Sequence, residues 1–191
     1  LKEIRAGATA FKYDAALAAA LKLKADADQP NDVRSLLTRY AEMITAEKAL
    51  FQRACKRVKE GVRELTIAQG GAEVLHVSKM DATGLTAGGG GVDSLLFRWE
   101  RIPAAQIYRA FKLTIDVTNA EEHLALATFA WHRGQRLEME NGLKLAVELE
   151  ADLKPRARIQ SQVYAGVDAV LMPRRTGDGG GTELSPRRGK Q

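Results

Sequence analysis

The sequence predicts an α+β fold: an N-terminal helical hairpin, a small antiparallel β-meander, and a second helical region. Three observations carry that prediction. Up to about residue 61, and again after 103, apolar residues recur at three- and four-residue steps. Between them the segments are short, β-branched or aromatic, and separated by glycine pairs. From Met172 onward proline, glycine and charge replace almost all apolar residues. The expected divisions are therefore 1–62 helical hairpin, 63–102 β subdomain, 103–171 helical region and 172–191 disordered tail.

Each element has a local reason. The stretch 13–28, YDAALAAALKLKADAD, is rich in alanine and leucine, the best helix formers. Pro30 should end that helix, because the residue before a proline avoids the helical region. Asn31 or Asp32 is expected to cap the next one. There Val33, Leu36, Leu37, Tyr40, Ile44, Phe51, Cys55 and Val58 line one face, while Arg34, Arg39, Glu42, Lys48 and Arg53 largely fall elsewhere. Gly61 is a natural stop. Two antiparallel helices are the expected result.

The β region reads as three or four strands. RELTIAQ, AEVLHVSKM, GLTA and VDSLLFRW are divided by the glycine pair at 70–71, DATG at 81–84 and the run Gly88–Gly91. Paired glycines suit primed hairpin turns, which need positive φ. Leu95, Phe97 and Trp99 share one face at the strand period of two. Such a meander is marginal alone and needs helices to cover its apolar face.

In the third region Pro103 suits a helix start, and Ile107, Ala110, Phe111 and Ile115 form one apolar side. Thr118 or Asn119 is the expected cap of the following helix, with Glu121 and Glu122 favourably placed against its dipole. That helix closes at Gly134. RLEMENGLKLAVELEADLKPRARIQSQVYAG is one further helix, or two divided near Pro155.

Composition narrows the function classes. The 191 residues are 45 % apolar and 28 % charged, an ordinary globular balance without a run long enough for a membrane span. The chain opens on Leu1 rather than methionine, which leads to the expectation of a piece of a longer protein. A lone cysteine, Cys55, excludes an internal disulfide framework and a cysteine-based zinc site. The net charge of +5 is uneven. Arg174, Arg175, Arg187, Arg188 and Lys190 stand in the tail against Asp178 and Glu183, a net of +3 that leaves +2 for the body. The tail is thus the candidate for weak polyanion contact. That contact is expected to be weak binding of nucleic acid or an anionic surface without sequence readout, since no aromatics interleave with its charges or with KPRAR at 154–158.

The glycine run is the one apparent phosphate cradle, but its context fails. A phosphate loop needs Lys and Ser/Thr after its last glycine, and here Val92 and Asp93 follow. A dinucleotide fingerprint needs a helix there, and the next segment reads as a strand. The run is read as a hairpin loop. His123 and His132 lie nine residues apart, on opposite faces of one helix, and cannot share an ion; His76 has no histidine or cysteine nearby. All three are read as surface or core-edge residues. No G-x-S-x-G elbow is present, and Cys55 sits mid-helix on an apolar face where a thiol is usually inert. Trp99 ends an alternating strand just before Pro103. The two together are expected to form the structural joint between sheet and helices.

Glu122 to Pro155 resembles a degenerate tetratricopeptide repeat, through Leu126-Ala127, Ala130, Gly134, Leu143 and Ala146. Met139 stands where that family has a small alanine, and Pro155 comes late. YDAALAAALKL resembles a second repeat helix. The order of helical region, short β segment ending in Trp99, Ile102 and Pro103, then helical region, resembles accessory extensions of large bacterial multidomain proteins, some kinase-associated. No glycine-rich ATP loop, catalytic aspartate or DFG is present in this chain. The resemblance implies a non-catalytic scaffold that binds a protein or peptide and needs no cofactor. The expected groups able to form a catalytic cluster could not be assembled from spacing.

Overall fold

A computed structural model of the protein describes residues 1–61, 66–69, 73–89 and 92–171. The architecture is α+β and mostly helical. Three helices come first: α1 (Lys2–Thr9), α2 (Tyr13–Ala25) and α3 (Asn31–Lys59). A four-stranded sheet follows, formed by β1 (Thr66–Gln69), β2 (Glu73–Asp81), β3 (Gly84–Gly89) and β4 (Val92–Arg98). The remainder is α4 (Ala104–Thr114), α5 (Ala120–His132), α6 (Arg136–Leu149) and α7 (Lys154–Leu171). No helix among the described residues is long and apolar enough to cross a membrane.

The N-terminal part differs from the expected two-helix hairpin by the short α1. Eight residues are too few to hold a helix in water by propensity. Ile4 and Ala8 are buried against α2 and α5, and that packing sets it. Pro30, not Asn31, occupies the N-cap position of α3, and no side chain caps it. Asp32 instead accepts from the amide of Val33 at 2.9 Å. α3 is the spine of the molecule. Leu37, Tyr40, Ile44, Leu50, Phe51, Ala54 and Val58 are buried along one stripe, touching α2 and α5, α7 and β2.

The sheet is a pure antiparallel meander in the order β1-β2-β3-β4. Its inner face lies on α3 through the buried Met80, Leu85 and Ala87, with Val77 and Phe97 half-buried beside them. Leu85 is paired with Phe97, and Ala87 with Leu95. Leu95 therefore shares the inner face, yet it is exposed, because β4 is an edge strand beyond the cover of the helix. Leu95 and Phe97 share one face as the alternation predicts, with only Phe97 half-buried. Gly84 has a steric reason: a Cβ at this position would lie 2.0 Å from the carbonyl oxygen of Phe97. Of the glycine run, Gly88 and Gly89 belong to β3, and residues 90–91 lie outside the described residues.

α5 runs through the centre and is buried on every side. Asn119 caps it by accepting from the amide of Glu122 at 3.1 Å, while Thr118 bonds to Asp116 instead. The helix ends before Gly134, whose φ of +71° turns the chain into α6. α6 lies close against α5 because Gly142 faces Ala127 and the carbonyl of His123; a Cβ would stand 3.1 Å from that of Ala127. Near Pro155 the chain does divide: α6 stops at Leu149, a 3-10 turn spans Ala151–Leu153, and α7 begins. One apolar core, from Ile4 to Val167, joins the helices and the inner face of the sheet.

Candidate functional site

Tyr40, Ile44, Glu47 and Phe51 follow one another down the buried stripe of α3, so the fold carries a carboxylate into the core. Opposite it lie the last residue of α5, His132, and the next residue, Arg133. His132 Nδ1 is 2.5 Å from Glu47 Oε2, and its Nε2 is 2.9 Å from the hydroxyl of Tyr40. Tyr13 donates to Glu47 Oε1 at 3.1 Å, and Arg133 Nη1 donates to the same oxygen at 3.2 Å. The side chains of Glu47 and His132 have no solvent exposure. Burial by itself would push the Glu47 carboxyl up. The attraction and hydrogen bonding of His132, then Arg133 and Tyr13, outweigh it and hold Glu47 below its ordinary value. Burial raises both tyrosines, and the charge on Glu47 adds to it.

The same cluster fastens the N-terminus. Arg133 is sandwiched between the rings of Phe11 and Phe129, 4.3 and 3.7 Å from their centroids, and donates to the carbonyl of Thr9 at 3.0 Å. The Thr9 hydroxyl donates to the carbonyl of His132, and Arg5 to that of Trp131. Side chains of α1 thus bond to the last carbonyls of α5, that of Trp131 being shared with the amide of Gly134. At that turn Phe11 holds φ +60°, a left-handed conformation costing about 1–2 kcal/mol for a residue with a Cβ. Its ring stacks on Trp99 at 4.3 Å, which fixes it there.

A tyrosine, histidine and carboxylate in line resemble a proton relay in composition. A general base must come within hydrogen-bond reach of a substrate proton. Here every side-chain polar atom of Glu47 and His132 faces another protein group, although His132 and Arg133 also border the groove beside Trp99. The chemistry this arrangement performs is anchoring. Sequence spacing gave no ionisable cluster; the structure assembles one from α2, α3 and the end of α5. The available signal was Glu47 itself, three residues after Ile44 and four before Phe51, within the apolar stripe.

Trp99 is buried between the sheet and the helices. Its ring meets Phe11, Phe51 and Phe111, and its indole N–H donates to the carbonyl of Asp81 at 2.8 Å. Pro103 is the N-cap of α4, and its carbonyl accepts from Gln106 and Ile107. An open groove of about 620 Å³ passes this joint, walled by Phe11, Trp99, Ile102 and Ile107 and bordered by Arg5, His132 and Arg133.

A longer cleft runs between α6 and α7. One part, about 800 Å³, has Met139, Trp131 and Tyr164 along it, the two rings stacked at 4.6 Å. The other, about 450 Å³, is floored by Leu143, Val147 and Ala157. Ser161 borders both, so the two recesses adjoin along α7. Charges at the Tyr164 end are mutually paired: Arg5 with Asp168 at 2.6 Å, and Arg136 with Glu140 at 3.0 Å. At the opposite end Lys144 is paired with Glu148, but Lys154 and Arg158 have no acidic partner among the described residues.

The other candidates scatter. His76 is exposed on β2, and His123 is buried with Nε2 3.0 Å from the carbonyl of Val117. His123 and His132 are therefore core residues rather than surface ones. Among the described residues no three histidine, cysteine or acidic side chains converge as metal ligands. Cys55 is half-buried, and burial pushes its thiol up to about 11. Arg174, Arg175, Arg187, Arg188 and Lys190 lie outside the described residues, as does the expected disorder of 172–191. Compared with known proteins, the chain matches no family model, no curated protein and no solved structure.

Proposed function

We propose that the chain is a non-catalytic protein-interaction module that takes a peptide or helix of a partner in the cleft between α6 and α7. The observation that carries this reading is the cleft itself: open, apolar along its floor, flanked by aromatic, methionine and arginine side chains, the residue types enriched at interfaces. The tetratricopeptide-like pattern of α5 and α6, with small residues letting two helices approach, is consistent with a scaffold of stacked helical pairs. The Glu47 cluster has its side-chain polar atoms taken up by protein partners, which supports a structural role for it.

Selection of displayed helical peptides against the intact chain tests the reading. Ser161→Trp fills the middle of the cleft from an exposed helical position, so it should abolish binding of selected peptides while leaving the circular dichroism spectrum unchanged. Enriched peptides that bind this variant undiminished would exclude the cleft. If their binding instead disappears on removal of residues 172–191, the interaction belongs to the basic tail.

A further inference from the structure

The cleft has a length and a polarity, and both describe its occupant. From Lys154 to Asp168 the α7 wall advances by about 14 residue steps, roughly 21 Å at helical rise, the length of about four helical turns. An apolar floor of that extent fits one face of an amphipathic helix laid along it. The charges along the walls are unequal. Toward Asp168 each cation has its own anion: Arg5 with Asp168, Arg136 with Glu140. Toward Lys154 the only acidic side chain of the cleft is Glu148, already 3.5 Å from Lys144. Lys154 and Arg158 stand exposed one turn apart, unpaired among the described residues, both lining the recess.

The backbone adds to this imbalance. Lys154 opens α7, whose first turn contains no acidic residue. The positive end of the helix dipole therefore lies at the same end of the cleft as the free cations. Glu150 and Asp152 precede the helix but do not line the recess; within its first turns stand Lys154, Arg156 and Arg158, of which Arg156 is paired with Glu121. Holding like charges at a helix N-terminus costs stability, and an incoming carboxylate relieves it.

Resting on the interaction reading above, the geometry points to an acidic amphipathic helix of a partner protein as the occupant, its apolar face on Leu143, Val147 and Met139 and its acidic end against Lys154 and Arg158. A neutral helix leaves those cations unanswered, and a basic one is repelled. The chain's own tail, with its excess of arginine, has the wrong charge for this end.

Fluorescence anisotropy with three labelled 14-residue helical peptides tests this. They share one apolar face and carry acidic, neutral or basic residues at one end. The acidic peptide should bind the intact chain about tenfold more tightly than the neutral one at low salt, two exposed ion pairs near the upper range of such contacts. The gap should shrink as salt rises. The double variant Lys154→Glu/Arg158→Glu should invert the order, favouring the basic peptide. Equal binding of acidic and neutral peptides overturns the charge inference and leaves the cleft reading standing. No binding by any of the three, with Ser161→Trp also without effect, removes the cleft reading itself. Sedimentation showing self-association that the double variant abolishes makes a second copy the occupant and overturns the proposal. Oligonucleotide binding abolished by the same variant does so in favour of nucleic acid.

Discussion

Glu47 and Lys154 are both charged residues on long helices, and the fold treats them in opposite ways. Glu47 is enclosed by Tyr13, His132 and Arg133 with no water contact. Lys154 is exposed at the start of α7 and has no acidic partner among the described residues. The buried cluster has its partners built in and contributes to holding three elements together. The cleft leaves its partners missing. A row of ionisable residues is evidence for function only when some of its valences remain open, and by that measure the more catalytic-looking site is the structural one.

The contrast breaks most readily at Glu47. Glu47→Ala leaves Arg133 without its buried carboxylate and His132 Nδ1 without its hydrogen-bond partner, and removing one member of a buried ionic set costs about 3–5 kcal/mol. Denaturant unfolding followed by circular dichroism should show a loss of that size or failure to fold. A loss below about 1 kcal/mol would mean the cluster is not the anchor described. Glu47→Gln keeps the shape and some hydrogen bonds, and should fall between wild type and Ala.

Trp99 sharpens the comparison from the packing side. Trp99→Ala deletes a ring that touches Phe11, Phe51 and Phe111, together with the bond to Asp81, and should cost about 3–5 kcal/mol. Removing one of residues 90–91, outside the β3 pairings of Gly88 and Gly89, takes away no buried ring of the joint and should cost less than Trp99→Ala. Equal losses in thermal melts would show that the joint is not where sheet and helices are held.

The helices and the meander were legible because their periodicity is local: apolar steps of three and four, then alternation of two. α1 was not, because its eight residues become helical through Ile4 and Ala8 packing on α2 and α5. The exposure of Leu95 was hidden for a related reason. Alternation tells which face a residue takes, not how far the covering helix extends. The ionic cluster joins residues 13, 40, 47, 132 and 133, and sequence spacing has no term for contacts between distant segments. Still, a glutamate inside the stripe from Tyr40 to Phe51 was visible and demanded a buried partner. Lys154 and Arg158 were visible within KPRAR, but only the turn into α7 places them beside Leu143 and Val147.

The pH dependence of stability follows from the same cluster. Glu47 is held below its ordinary value of 4.5, so the unfolded chain binds its proton first as pH falls. Its contribution is complete above that value and is lost as pH descends below it. Wild-type stability should therefore drop in that acidic window, measured by urea midpoints at stepped pH. In Glu47→Gln the drop should be smaller. An identical decline in both proteins would assign acid sensitivity to other carboxylates.

The smallest effect is expected at the open end of the comparison. Lys154→Glu/Arg158→Glu alters two exposed side chains with no partners among the described residues, so nothing is left unpaired in the core. Two new carboxylates near the N-terminus of α7 also meet its dipole favourably, by about 0.3–1 kcal/mol each when exposed. Against this stands the nearby Glu148, already satisfied by Lys144. The net change should be within about 0.5 kcal/mol of wild type or slightly stabilising, read from urea unfolding at low salt, and smaller at high salt. A loss above about 1 kcal/mol would show that these cations support the fold through contacts of their own, and the division between an anchoring cluster and a recognising cleft would no longer hold.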